Sequence, residues 1–179
     1  MTHTEAGVTI ELTKGNIVKQ PDVEAVVNAA NAQLRTGGGV AGAIHSAAGS
    51  GLTEETRPMA PIQPGEAVIS GAHDLPNERV IHVLGPVYGR DEPSDELLRT
   101  GYENALTRAE ENGTTSVAFP ALSTGAFGYP LDEAARIAVE TILDAAPTLD
   151  SVEHVRFVLF DDEAFRAHKD ALSTLRPDT

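Results

Sequence analysis

Two stretches of this chain combine residue types at a spacing that could hold an anion. The first reads Asn28-Ala-Ala-Asn31, then Thr36-Gly37-Gly38-Gly39-Val40-Ala41-Gly42-Ala43-Ile44-His45. Three consecutive glycines ahead of an Ala-rich helical run let backbone N–H groups converge at a helix N-terminus, where the helix dipole also favours negative charge. The ligand such a loop expects is a phosphate. The second stretch, Pro120-Ala-Leu-Ser123-Thr124-Gly125-Ala126-Phe127-Gly128-Tyr129-Pro130, ends an apolar strand and turns into a helix. Its Ser and Thr hydroxyls can supplement the backbone donors.

The charge map points to the same places. The 179 residues carry 13 Lys+Arg against 27 Asp+Glu, a net charge of −14 with a pI of about 4.7. Yet no acid lies between Glu24 and Glu54, nor between Glu111 and Asp132, the two longest acid-free intervals, and each holds one glycine loop. A nearby carboxylate would repel a phosphate at short range, so an anion site in so acidic a chain requires such a gap. Core segments also lack acids, which leaves a packing origin of the gaps open.

The total charge argues against a duplex nucleic-acid binder, which needs a basic patch. Three lysines against ten arginines, among so many carboxylates, suit a high-salt cytoplasm; a GC-rich genome gives a similar Arg and Ala bias. With no cysteine there is no disulfide framework, thiol nucleophile or thiolate zinc site. His3, His73, His154 and His168 lack ligand spacing, so neither a metal nor a cofactor is expected. No apolar run approaches the ~20 residues of a membrane helix and the first residues show no signal pattern, so a cytoplasmic protein is expected.

Gly37-x-Gly39-x-x-Gly42 also satisfies the dinucleotide fingerprint, with Glu54 or Glu55 near the expected acid. Context excludes it, because a Rossmann loop follows its strand immediately and Ala29–Thr36 intervene here. No Gly-Lys-Ser/Thr follows either loop, so neither is a P-loop.

The elements that must position these loops are legible from periodicity. Alternation predicts a strand over 8–12, and apolar runs predict strands over 25–27, 67–70, 80–84, 116–122 and 155–160. Helical stripes run over 94–111, stopped by Asn112-Gly113, over 131–143 after Pro130, and over 164–175. Segments 53–65 and 85–93 read as loops. Strands alternating with helices predict a single α/β domain with a largely parallel sheet and helices on both faces.

Asn28-Ala-Ala-Asn31, the Gly37–Ile44 loop, Val80-Ile-His-Val-Leu-Gly85-Pro86 and the Pro120–Pro130 loop, in this order, resemble the macrodomain family of ADP-ribose-binding α/β modules. The resemblance covers about residues 9–175. It implies a three-layer α/β/α fold around a mixed six- or seven-stranded sheet. The ligand it implies is ADP-ribose, free, acetylated, phosphorylated or attached to a protein. By that resemblance Gly37, Gly38, Gly39 and Val40 clasp the diphosphate from one side, and Ser123, Thr124, Gly125, Ala126 and Phe127 from the other. Phe127 also covers the distal ribose, Asn31 hydrogen-bonds it, and Asn28 neighbours Asn31 in the same turn. Phe160 matches an aromatic that stacks on adenine. The physical alternatives are that the asparagines cap a turn and the phenylalanines belong to the core.

Two positions depart from the family pattern. Its usual Gly-Asp-Ile segment reads Gly15-Asn16-Ile17 here, so the adenine amino group meets an amide oxygen without the charge assistance that roughly doubles a hydrogen bond. Many hydrolytic members carry Asp where this chain has Ala41, which cannot act as a base. His45, one turn on, matches a histidine of the hydrolase-like branch and is the candidate base, or else a satisfied histidine between helix and sheet. His82 reads as structural. The resulting expectation is a hydrolase acting on mono-ADP-ribosylated Asp or Glu or on O-acetyl-ADP-ribose, with Asn28, Asn31, Gly39, His45 and Phe127 as its catalytic set. A non-catalytic reader of ADP-ribosylated proteins and an ADP-ribose 1″-phosphatase are the alternatives.

Overall fold

The computed structural model describes residues 1–178. Seven strands, β1 (Thr2–Glu5), β2 (Val8–Lys14), β3 (Ala25–Ala29), β4 (Ala67–Gly71), β5 (Arg79–Val83), β6 (Ser116–Phe119) and β7 (His154–Leu159), form one mixed sheet in the order β1-β2-β7-β6-β3-β5-β4. The five inner strands run parallel, and the edge strands β1 and β4 run antiparallel to them.

Five helices cover the sheet: α1 (Gly39–Ala48), α2 (Ser50–Thr56), α3 (Ser94–Glu111), α4 (Leu131–Ala145) and α5 (Asp162–Leu175). Strand alternation divides the core between them. Ala25, Val27, Val117, Phe119, Val155 and Phe157 face α3, α4 and α5, whereas Val26, Val80, Ala118 and Val158 pack against Ile44 and Ala48 of α1 and Leu52 of α2. The result is a three-layer α/β/α sandwich. β6 is buried along its whole length, which is why its sequence shows no alternation. Among the described residues no helix is long and apolar enough to cross a membrane.

The structure corrects the sequence reading at four places. Thr2–Glu5 is a strand: Ala6 and Gly7 both take positive φ (50° and 83°) and form a tight two-residue hairpin to β2. Ser50–Thr56 is helical, so the segment read as a loop from Thr53 begins inside α2. β6 stops at Phe119, leaving Ala121 and Leu122 in the loop, and β7 stops at Leu159, which puts Phe160 beyond the sheet.

On the α3–α5 face Tyr102, Phe119 and Phe157 form a ring cluster, with centroids 5.2 Å apart for Tyr102–Phe119 and 5.9 Å for Phe119–Phe157. The Tyr102 hydroxyl accepts a hydrogen bond from Leu122 N at 3.2 Å, tying the core to the root of the second glycine loop. Tyr102→Phe therefore leaves a buried N–H without its partner. Urea titration should show a loss of about 1–3 kcal/mol, the cost of an unsatisfied buried donor.

Candidate functional site

The parallel inner strands all end on one edge of the sheet, so the loops after β3 and β6 lie side by side there. From β3 the chain goes on to β4 and β5 on one side; from β6 it goes on to β7 on the other. Such a divergence of crossovers opens a crevice at the carboxyl ends of the strands. A cleft of about 400 Å³ occupies it, lined by Ala29, Ala30, Asn31, Gly37–Ala41, Ala121, Ser123, Gly125, Ala126 and Phe127. Among the described residues no Asp, Glu, Lys, Arg or His is on its wall.

One end of this cleft is the start of α1. Among the described residues four helices have ten or more residues, and of these α1 alone has no acid in its first turn; α3, α4 and α5 each carry two. Its N-cap, Gly38, makes no side-chain cap. The first N–H groups of α1 are thus left for an external acceptor, at the positive end of the helix dipole. The loop folds tightly enough that a Cβ on Gly42 would overlap the Gly37 carbonyl oxygen, and Gly39 has φ 56°. Gly42 is therefore part of the site architecture. From sequence Gly42 is one residue of the glycine stretch with no contact of its own assigned.

Asn31 sits on the wall with its amide fixed. Its Oδ1 accepts from Arg35 N at 3.1 Å and its Nδ2 donates to Arg35 O at 2.7 Å. One N–H and one lone pair stay free for a ligand. Across the cleft Phe127 is half-buried, packs against a small cluster of Ala30, Leu34, Ile62 and Leu84, and accepts from Tyr88 N at 2.9 Å through its carbonyl. Ser123 adopts φ 66°, an uncommon conformation for a residue with a side chain. Its hydroxyl is buried against Gly85 without a hydrogen-bond partner, so Ser123 presents backbone to the cleft. The Thr124 hydroxyl donates to Ala121 O at 2.8 Å, and Thr124 is not on the wall.

The sequence profile of the Macro domain matches residues 27–138, which contain both loops and the crevice between them. The chain belongs to the Macro domain family. Macro domain-containing protein TTE0995 of Caldanaerobacter subterraneus is 43% identical over 171 residues, 93% of this chain and 97% of that protein. The O-acetyl-ADP-ribose deacetylase of Klebsiella pneumoniae is 44% identical over 158 residues, 86% of this chain and 90% of that one. Among solved structures, a variant of the Oceanobacillus iheyensis macrodomain with ADPR superimposes with a TM-score of 0.93 at 35% identity, covering 98% of this chain and 97% of that one.

Within this macrodomain the other candidate residues lie apart from the cleft wall. Asn28 is inside β3, in register with His82 of β5, and fully buried between the sheet and α1. Ser70 Oγ donates to Gly71 O at 2.9 Å and so accepts from His82 Nε2 at 2.9 Å, which leaves His82 Nδ1 to accept from Asn28 Nδ2 at 3.1 Å. His45 lies behind Ala41 on α1, 5% exposed, with Nδ1 3.0 Å from Thr53 Oγ1 and its ring 6.3 Å from that of His82. Burial lowers its pKa, which favours the neutral ring. Asn28 Oδ1 and His45 Nε2 are buried without a protein partner.

Asn16 and Phe160 follow β2 and β7, on the same sheet edge but outside this cleft. Asn16 is exposed, with its Oδ1 accepting from Val18 N at 3.1 Å, and Ile17 is buried in the α1–α2 core. Phe160 is 85% exposed, which excludes a core role and leaves an apolar ring free to stack on a ligand. Among the described residues no group of three or more His, Asp or Glu could hold a metal ion.

His82 carries a pH prediction. Burial and the neighbouring His45 hold its pKa down at about 3, against 6.5 for a free histidine. The folded protein keeps His82 neutral while the unfolded chain protonates, so this stability is complete above pH 6.5 and lost as pH falls toward 3. Unfolding free energy should drop by about 2 kcal/mol between pH 7 and pH 5 on account of His82, and in His82→Gln that share of the drop should vanish. Gly42→Ala is a second test: prising the loop from Gly37 should lower affinity for ADP-ribose at least tenfold while the melting temperature falls by only a few degrees.

Proposed function

We propose that this macrodomain is an ADP-ribosyl hydrolase that releases ADP-ribose from mono-ADP-ribosylated Asp or Glu side chains and from O-acetyl-ADP-ribose. The observation that carries the binding half is the open, acid-free N-terminus of α1 facing the Ser123–Phe127 loop in a protein of charge −14. The diphosphate lies between Gly37–Val40 and the backbone of Ser123–Phe127. The distal ribose sits between the free amide valences of Asn31 and the ring of Phe127. Adenine reaches the exposed Phe160 ring, with Asn16 as an uncharged acceptor for its amino group. The 44% identity to a protein named O-acetyl-ADP-ribose deacetylase supports the chemistry.

In the reaction, water adds across an ester of the distal ribose and yields ADP-ribose and the free carboxylic acid, which ionises at neutral pH. With no titratable side chain on the wall, the water is held by the loop backbone and the substrate's own phosphate, and the α1 amides stabilise developing negative charge. Asn31, Gly39 and Phe127 touch the substrate. Asn28 of β3 and His45 of α1, both buried away from the wall, act as positioning residues: they fix the strand end and the first helical turn that carry the contacts. A reader that binds without cleaving is the second reading, favoured by that same lack of an acid or base on the wall.

Single-turnover assays on a mono-ADP-ribosylated protein and on O-acetyl-ADP-ribose, with wild type and Gly39→Glu, separate the readings. The hydrolase predicts wild-type turnover more than tenfold faster than the variant, whose carboxylate occupies the phosphate position. Equal rates with ADP-ribose binding by calorimetry establish the reader, and no ADP-ribose binding removes both. Because backbone amides hold the phosphates, ADP-ribose affinity should depend only weakly on salt. Asn16→Asp should tighten binding and sharpen selectivity for adenine over other bases.

A further inference from the structure

The loop that pins Asn31 borders a second cleft of about 320 Å³, lined by Gln33, Arg35, Thr53, Arg57 and Ala60. Resting on the hydrolase reading above, we propose that this cleft binds the acidic residues flanking the ADP-ribosylated side chain of the substrate protein, so that the enzyme selects modification sites in acidic peptide segments.

Three observations carry this. First, both cations of the cleft are unengaged. Arg35 and Arg57 are exposed, and among the described residues neither makes an ion pair or a side-chain hydrogen bond, although the chain offers two carboxylates for each cation. Elsewhere Arg90, Arg99, Arg108, Arg136, Arg156 and Arg176 are bound to acids, and among the described residues the exposed Arg79 and Arg166 are the only other arginines in the unpaired state, each outside any cleft with a second arginine. Even Glu54, one turn before Arg57 on α2, leaves it unpaired.

Second, the cleft is placed where the acceptor must emerge. Asn31 lies on the wall of the first cleft at the proposed ribose end, and its amide grips the backbone N–H and carbonyl of Arg35, whose side chain lines the second. A peptide joined to the distal ribose leaves past Asn31, beside that arginine. Third, the loop is held in shape. Leu34, between Gln33 and Arg35, is buried at φ 55°, and its carbonyl accepts a buried hydrogen bond from Thr56 Oγ1 at 2.8 Å. Arg57 follows Thr56 directly, so one hydrogen bond couples the backbones that carry the two arginines.

Charge also selects the occupant. Two arginines suit one or two carboxylates of a peptide, whereas a nucleic acid would trail further phosphates over a surface of net charge −14.

The test uses three probes titrated into the whole protein: free ADP-ribose, and two decapeptides carrying ADP-ribose through an amide on a central glutamine, which the ester chemistry leaves intact. One peptide has Glu and Asp on both sides of that position, the other Ser and Gly. Wild type should prefer the acidic peptide by about tenfold in 50 mM salt, as two exposed ion pairs allow, and by less than twofold in 500 mM salt. In Arg35→Gln/Arg57→Gln the preference should disappear. A folding defect weakens both peptides alike and cancels in the ratio. Equal affinities of wild type for the two peptides, with ADP-ribose bound, overturn this inference alone. No binding of ADP-ribose overturns the hydrolase reading and this inference with it. Displacement of the acidic peptide by micromolar 5′-phosphorylated oligonucleotide assigns the cleft to nucleic acid and overturns the peptide assignment.

Discussion

Parallel pairing of β3 with β6, through Ala25–Val117 and Val26–Ala118, joins the two halves of the sheet. The neighbouring connections run away from this seam in opposite directions, and a cleft opens at its carboxyl edge. Everything in the site follows from that gap. The Gly37–Gly39 and Ser123–Phe127 loops, about 85 residues apart in the chain, become opposite walls of one cleft. The short seam is supported by Tyr102, whose ring packs on Phe119 at the end of β6 and whose hydroxyl holds the next turn.

The electrostatic problem is to hold an anion in a protein of charge −14 without a cation at the binding position. Backbone solves it. The N–H groups at the start of α1 carry partial positive charge that costs no side chain and draws no carboxylate into a competing ion pair. Long-range repulsion from the rest of the surface is screened over about 8–10 Å at physiological salt, whereas a carboxylate in the first turn of α1 would act at contact distance. The acids are accordingly spent elsewhere, in the first turns of α3, α4 and α5 and in pairs such as Arg156 with Asp22 and Glu11.

Behind the wall lies a polar layer unusual for the centre of a sheet. Asn28, His82 and Ser70, from three adjacent strands, bond in series on the face covered by α1. A neutral His82 suits this chain, its Nδ1 accepting from Asn28 while Nε2 donates to Ser70. The layer fixes the end of β3 against β5, so that Asn31 leaves the strand in one direction. Buried hydrogen bonds of this kind specify an arrangement more than they add stability.

Much of this was legible in the sequence. The parallel α/β class, both glycine loops and the acid-free intervals around them are local signals, because hydrophobic period, glycine clusters and missing charges are properties of contiguous residues. The N-terminal hairpin escaped, since its signal is the left-handed conformation of Ala6 beside Gly7 and alanine does not advertise one. Asn28 and His45 could be named as polar residues near the site, but their depth could not: one position along a strand decides whether a side chain meets a ligand or the next layer, and α1 had to dock before His45 turned toward Thr53. The same holds for Arg35 and Arg57. Sequence by itself determined the fold class, the two glycine loops and the absence of acids around them. Only the tertiary structure decided which of the polar residues face the cleft, which are sealed behind it and which cations stand unpaired beside it, because each of those outcomes depends on packing between segments far apart in the chain.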